Sequence, residues 1–249
     1  MPSSHRSFLG LAEGFSLLTE PARKLLAGHA VVHNLKKGME LVKRGQRAPS
    51  VFALRSGVLA LAHRSSNSAE VVTDFFANRS LVLLGLENTE ISGYSLRSVG
   101  TGAAVSWPGA VMATAMRQSP DFHFWVTSEL LSRQRQIYFM RGRMNGIPLD
   151  VKLVYFFWSM SEKLPDGRRF FNGRIAQELL ASYFLVTREE INRRIILLEK
   201  TGYYERTSSG AEPAGIFWSE ACPTLFYLYT DMSTPWDNPY PQALAEDSD

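Results

Sequence analysis

Cysteine is nearly missing: Cys222 stands alone in 249 residues. A single thiol forms no intramolecular disulfide, has no resolving partner in its own chain, and cannot build a cysteine metal site or an iron–sulfur cluster. Its scarcity fits a reducing cytoplasm. Long apolar runs are missing too. No stretch approaches the roughly 18 residues that a membrane helix needs. The opening MPSSHRSFLGLAEGFSLL has no long apolar segment ending in small residues, so neither membrane insertion nor secretion is expected. A Walker loop, a nucleophile elbow and a clear catalytic pair are also absent, so neither an enzyme nor a cofactor is expected. Internal repeats are not found. Finally, positive charge is missing from one end. Ser219 to Asp249 contains no Lys or Arg but has six carboxylates, Glu220, Asp231, Asp237, Glu246, Asp247 and Asp249. The formal charge of the whole is +3, so the remaining body carries +9. A basic body attracts polyanions, and an acidic tail competes for the same surface.

What is present changes texture along the chain. Residues 11 to 29 read as a helix ending near Gly28. Short β-rich runs follow: VVHNL, ELVKRG, SVFALRSGVLALAHR and AEVVTDFF, separated by KKG, RGQ, SG and SSNS. Ser98 to Trp107 reads as a further strand. Short strands between regular turn signals predict a small antiparallel sandwich or roll. Ser119 to Asn145 then reads as one long helix, with Ser119 as N-cap and Pro120 at its first position. At 1.5 Å per residue it would span roughly 38 Å. Val126, Leu130, Ile137, Met140 and Met144 lie near one stripe, which either pairs with a second copy or packs on its own domain. Arg133 falls near that stripe. Gly142, Asn145, Gly146 and Pro148 mark a hinge.

Beyond the hinge, DVKLVYFFWSMSEKL reads as a helix, PDGRRFFNG as a turn with a short hairpin, and RIAQELLASYF as a helix. TREEINRRIILLEK is another helix, and TGYYERTSSGAEPAGIFW gives two strand-like pieces around a polar loop. Helix, short turn, helix and hairpin is the order of a winged helix-turn-helix. In VTREEINRRIILLEK, Ile191, Ile195 and Leu198 recur at helical spacing. Arg188, Glu189, Asn192, Arg193 and Lys200 hold the opposite face. Alone, this reads as a solvated face before it reads as a recognition face.

The order of roll, long helix and winged unit, over residues 13 to about 216, resembles the Crp/Fnr family of bacterial transcription regulators. The most specific part is IAQELLASYFLVTREEINRRIILLEKTGYY. The family commonly has Ser or Thr, Arg, Glu, three variable residues and Arg in its recognition helix, and here Thr187, Arg188, Glu189 and Arg193 stand there. The resemblance implies an α+β fold: an N-terminal antiparallel β-roll over 1–118, a dimerisation helix and hinge over 119–146, and a winged helix-turn-helix over 147–218. An acidic, aromatic tail over 219–249 completes the chain. It implies double-stranded DNA as partner, a homodimer through 119–146 and RNA polymerase as a further candidate, with a TGTGA-like half-site. Arg188 and Arg193 would then donate to guanine O6 and N7, and Glu189 would accept from cytosine N4. Thr187, Asn192, Arg194, Lys200 and Arg206 would hold phosphates or support the helix. One departure stands out: the family's turn usually has glycine where this chain has Leu185.

Many relatives bind cyclic AMP through Gly-Glu-Leu followed by Arg-Ser-Ala. In NRSLVLLGLENTEISGYSLRS those places fall on Leu83 and Leu84, and on Ser92 and Gly93. Both polar anchors are then lost, unless a shifted register brings Gly85, Glu87 or Arg97 to the site. Regulation by cyclic AMP is therefore not expected. His33, His63 and Met39 are possible haem ligands by type but not by spacing. Leu81 to Leu84 read as core or as an apolar pocket lining, and no effector is identified. The aromatic, proline-bearing LFYLYTDMSTPWDNPYPQ reads as an arm, and the acidic tail as a cover for basic recognition residues. The rival reading is a ligand-sensing or protein-interaction regulator whose winged unit no longer binds DNA.

Overall fold

The computed structural model describes residues 11–47, 51–64, 70–77, 79–86, 92–138, 146–163, 169–171, 175–206 and 215–217. Met140, Met144, Gly142, Asn145, Glu87, Cys222 and the 219–249 tail lie outside these residues.

The first half is two antiparallel sheets laid face to face. One contains β1 (Val31–Leu35), β8 (Gly102–Trp107), β3 (Val51–Ser56) and β6 (Leu81–Leu83), in that order. The other contains β2 (Glu40–Val42), β7 (Tyr94–Ser98), β4 (Leu59–Arg64) and β5 (Glu70–Phe76). Side chains alternate across a strand. Phe52, Leu54, Leu59, Phe76, Val82 and Leu96 therefore meet in the core between the sheets. Among their neighbours, Val51, Ala53, Val58, Ala60 and Phe75 face outward yet are buried too, because helices cover these parts of both outer faces. Hence VFAL in β3 has no polar member: Val51 to Leu54 are all inaccessible.

Outside the first sheet, Val51, Ala53, Val105 and Trp107 pack on three helices: α1 (Glu20–His29), α2 (Gly109–Gln118) and α3 (Pro120–Tyr138). The Trp107 indole N–H donates to the Leu26 carbonyl at 2.9 Å, so its one polar atom is satisfied inside. Outside the second sheet, Val58, Ala60, Val72 and Phe75 share a core with α4 (Leu149–Ser159), α5 (Gln177–Phe184) and α6 (Arg188–Lys200). The last sheet has the order β11 (Tyr204–Arg206), β12 (Gly215–Phe217), β10 (Arg169–Phe171) and β9 (Glu162–Lys163).

Several elements differ from the sequence reading. Residues 11–29 are not one helix. A 3-10 turn over Glu13–Leu17 precedes α1, and Thr19 stands between them, with Pro21 in the first turn of the new helix. Proline lacks the N–H and carries a ring that continuation would need to accommodate. The strand expected over 98–107 is β8, which begins only at Gly102, while Ser98 ends the preceding strand β7. Helix α2, with no place in the sequence reading, fills 109–118. Ser119 does head α3, its carbonyl accepting from the His123 N–H at 2.9 Å. Its hydroxyl, however, accepts from the Thr19 N–H at 2.9 Å instead of capping its own helix.

The stripe on α3 divides: Val126 is buried, Leu130 exposed and Ile137 half-buried, and Met140 and Met144 lie outside the described residues. Phe122 and Val126 are buried under the first sheet, so the helix's first half belongs to its own core. The exposed apolar residues are Phe124, Leu131 and Tyr138, spaced by seven, with Leu130 beside them. Arg133 turns to the second sheet. Its Nε donates to Asp74 Oδ2 at 3.1 Å, its Nη2 to the Phe75 carbonyl, and its guanidinium lies 4.7 Å from the Phe76 ring centre.

β5 is an edge strand, and it collects contacts from the second half. Ser182 of α5 accepts from the Val72 N–H at 2.9 Å. The Phe75 ring meets Phe156 of α4 and Tyr183 of α5, each at 5.4 Å in edge-to-face geometry. Roll and C-terminal unit are thus joined by a shared apolar core, not by a connecting chain alone.

Candidate nucleic-acid interface

Helix α6 begins at Thr187, whose backbone is extended and whose Oγ1 accepts from the Glu190 N–H at 3.2 Å. This satisfies one of the four free donors at a helix start, worth about 1 kcal/mol. Ile191, Ile195 and Leu198 are nearly inaccessible and lock the helix on α4, α5 and β11. Each such burial contributes about 1.5–3 kcal/mol. The helical period then leaves Glu189, Asn192, Arg193, Ile196, Leu197 and Lys200 facing solvent.

The charged residues divide by their partners. Arg188 reaches back to α5, with Nε 3.1 Å from Glu178 Oε1, both side chains more than half exposed. Arg193 is ion-paired with Glu190 along the helix. Arg194 turns inward: its Nε donates to Glu190 at 2.7 Å and Nη1 lies 3.8 Å from Asp150 of α4. It ties α6 to α4, so among the supporting residues named from the sequence it faces the protein. Asn192 Oδ1 accepts from the buried Gln177 at 3.1 Å. Glu189 has no ion pair among the described residues, and neither does Lys200. Arg206 pairs with Gly215 through its backbone in β11, and its side chain lies outside the described residues.

Two of these organisers were not singled out from the sequence. Glu190 serves the cap through its N–H and both arginines through its carboxylate, and its signal was present as Thr-x-x-Glu, the capping-box spacing. Gln177 holds Asn192 from the preceding helix, and no local pattern announces it.

The turn between α5 and α6 is made by Leu185 in the left-handed region, φ 56° and ψ 44°, with the Val186 N–H donating to the Ala181 carbonyl at 3.0 Å. A β-carbon there costs about 1–2 kcal/mol. The Leu185 side chain is 78% exposed, so it recovers little by burial. Leu185→Gly is therefore expected to stabilise the protein by about 1 kcal/mol, net of the entropy glycine adds to the unfolded chain. Urea unfolding measures this, and a loss of stability would show that the turn needs the leucine.

In the roll, Leu83 and Leu84 pack against its cores. Ser92 donates from its hydroxyl to the Tyr94 carbonyl at 2.8 Å. Arg97 is ion-paired with Glu70 at 2.9 Å on the second sheet. His33 contacts the Ser106 hydroxyl at 2.8 Å, and burial holds its pKa below the ordinary histidine value. His63 packs edge-on to Tyr94. Among the described residues no group of three His, Cys, Asp or Glu side chains could hold a metal, and no helix is long and apolar enough to cross a membrane.

No family model and no curated protein matches the sequence. Solved structures do match its fold. A transcriptional regulator assigned to the Crp/Fnr family from Eubacterium rectale superposes with a TM-score of 0.58 at 16% identity, over 86% of this chain and 97% of that one. FixK2 from Bradyrhizobium japonicum gives a TM-score of 0.64 at 14% identity, over 79% and 96%. A Crp/Fnr-family transcriptional regulator from Thermus thermophilus gives 0.55 at 14%, over 79% and 97%. At such identity the likeness establishes the fold, and nearly the whole length of each neighbour takes part in it.

Proposed function

We propose that the chain is a dimeric, sequence-specific DNA-binding transcription regulator of the Crp/Fnr type, with α5 and α6 as its helix-turn-helix and β11–β12 as its wing. The observation that carries the reading is the exposed row Glu189, Asn192 and Arg193 on a capped helix that its other face locks in place. Residues four apart share a face, so Glu189 and Arg193 can read neighbouring base edges in a major groove. Arg188 and Arg193 already hold carboxylates, but exposed ion pairs are worth about 0–1 kcal/mol. A bidentate guanine contact is worth about 1–3 kcal/mol, so the DNA contact prevails. Lys200 and Arg206 would serve phosphates, and Thr187 brings the helix N-terminus toward the backbone.

Dimerisation rests on α3. Phe124, Leu131 and Tyr138 recur at the seven-residue spacing that brings one helix seam to another. Two recognition helices would then lie about 34 Å apart in successive major grooves. Phe124→Asp with Leu131→Asp is expected to give a species with the mass of one chain in analytical ultracentrifugation. A doubly substituted chain that still sediments as a dimer would place the interface elsewhere.

The function itself is tested by selecting from a random DNA library with purified protein, with and without cyclic nucleotides. The expected outcome is a near-palindrome, recovered equally in both conditions, as the resemblance implies by placing Leu83 and Leu84 at the anchor positions. Failure to enrich any motif in either condition would overturn the reading. It would favour the interaction-regulator alternative, for which the pairing of Arg188 and Arg193 inside the protein is the supporting observation.

A further inference from the structure

The C-terminal half of α6 carries a surface that base reading uses only in part. Asn192, Arg193, Arg194, Ile196, Leu197 and Lys200 line an open groove of about 600 Å³. Ile196 and Leu197 are 38% and 39% exposed and lie side by side, and the lining includes three cations, of which Arg193 and Arg194 already share Glu190 and Lys200 has no ion pair among the described residues. Arg193 and Lys200 stand two turns apart, roughly 10 Å along the axis, with the aliphatic pair between them. The complement of this surface is a segment with carboxylates flanking an aromatic.

We propose that this groove is the docking site of the chain's own acidic tail, within Tyr229–Tyr240. There, Asp231 and Asp237 flank Trp236 in the sequence YTDMSTPWDNPY, and no cation occurs from Ser219 onward. Trp236 covers Ile196 and Leu197, and the two aspartates meet Arg193 and Lys200. The root of the tail is correctly placed for this. β12 ends at Phe217, which pairs with Tyr204. The neighbouring Tyr203 N–H donates to the Leu198 carbonyl at the end of α6. From Phe217 to Trp236 the chain can extend roughly 60 Å, far more than a 13-residue helix of about 20 Å demands. A short tether supplies an effective concentration of about 1 mM. With an intrinsic affinity of about 0.1 mM, the groove would be occupied about tenfold over free.

The contact stands independently of DNA binding; its consequence, competition with DNA for Arg193 and Lys200, rests on the function proposed above. The test uses the full chain in a Cys222→Ser, Ser233→Cys background with a nitroxide at position 233. Broadening of the α6 resonances between 192 and 200 is expected, and its loss in Ile196→Ser/Leu197→Ser. Broadening elsewhere, or broadening that survives those substitutions, overturns the contact. A contact that vanishes on dilution belongs to a second copy and overturns the intramolecular form. In a second arm, Asp231→Asn/Trp236→Ala/Asp237→Asn is expected to raise affinity for the selected DNA about tenfold. Unchanged affinity overturns the competition. Absence of DNA binding in every form, with the α6 broadening intact, removes the function reading and leaves the contact standing.

Discussion

On the function proposed above, Arg193→Ala is expected to lower affinity for the selected site by about 1–3 kcal/mol at each half-site, roughly 5- to 150-fold, and to relax the motif at one base pair. The magnitude follows from what replaces what. In the free protein Arg193 holds Glu190 in an exposed pair, worth about 0–1 kcal/mol at most. Glu190 keeps Arg194 after the substitution, so no buried charge is stranded. Stability should thus change by less than about 1 kcal/mol while recognition falls steeply. Lys200→Ala should behave differently. A phosphate contact carries no sequence information, so all sites weaken together and the slope of log affinity against log salt falls by about one. Gel shifts over a salt series separate the two. An Arg193→Ala protein that selects the same motif with the same affinity would remove α6 as the reading element.

The largest effect on stability is expected from Phe75→Ala. Phe75 is 2% exposed and touches Phe156 and Tyr183, so one side chain of β5 anchors both α4 and α5. Truncating a buried phenylalanine costs about 3–5 kcal/mol, comparable to a large share of a domain's total stability. Here the loss falls on the core that joins the two halves. Urea unfolding followed by tryptophan fluorescence and by far-ultraviolet circular dichroism should shift to lower midpoint. The fluorescence trace should also split into two steps, because Trp158 reports the C-terminal unit while Trp107 and Trp125 report the roll. A single transition at the original midpoint would mean that the halves do not depend on a common core.

What could be read from the sequence was what is local. The strands of the roll announce themselves through turn residues, and α6 through its period and its Thr187 cap. The break at Thr19 has a local sign in Pro21, but the separate helix α2 and the true partners of Ser119 have none. They depend on the Thr19–Ser119 contact, 100 positions apart, and on a sheet face that α2 covers. The stripe on α3 was legible only in part: Val126 is claimed by the first sheet together with Phe122, while Leu130 stays exposed, and Phe124, outside the stripe, is exposed as well. On α6 the helical period alone puts Arg188, Glu189, Asn192, Arg193 and Lys200 outward, yet it does not show that Ile196 and Leu197 are exposed too, that Arg194 faces α4 or that Gln177 steadies Asn192. Those roles arise only when neighbouring helices are brought together.

The placement of Ser182 against Val72 has a consequence for solubility. A sheet's outermost strand carries a row of unused donors and acceptors that can recruit a strand from another molecule. Here the C-terminal half itself shields that row on β5. Any change that swings this half away uncovers a template bearing Val72 and Phe75. Self-association should therefore be fastest for conformers caught between arrangements, and variants loosened at Ser182 should precipitate before they unfold.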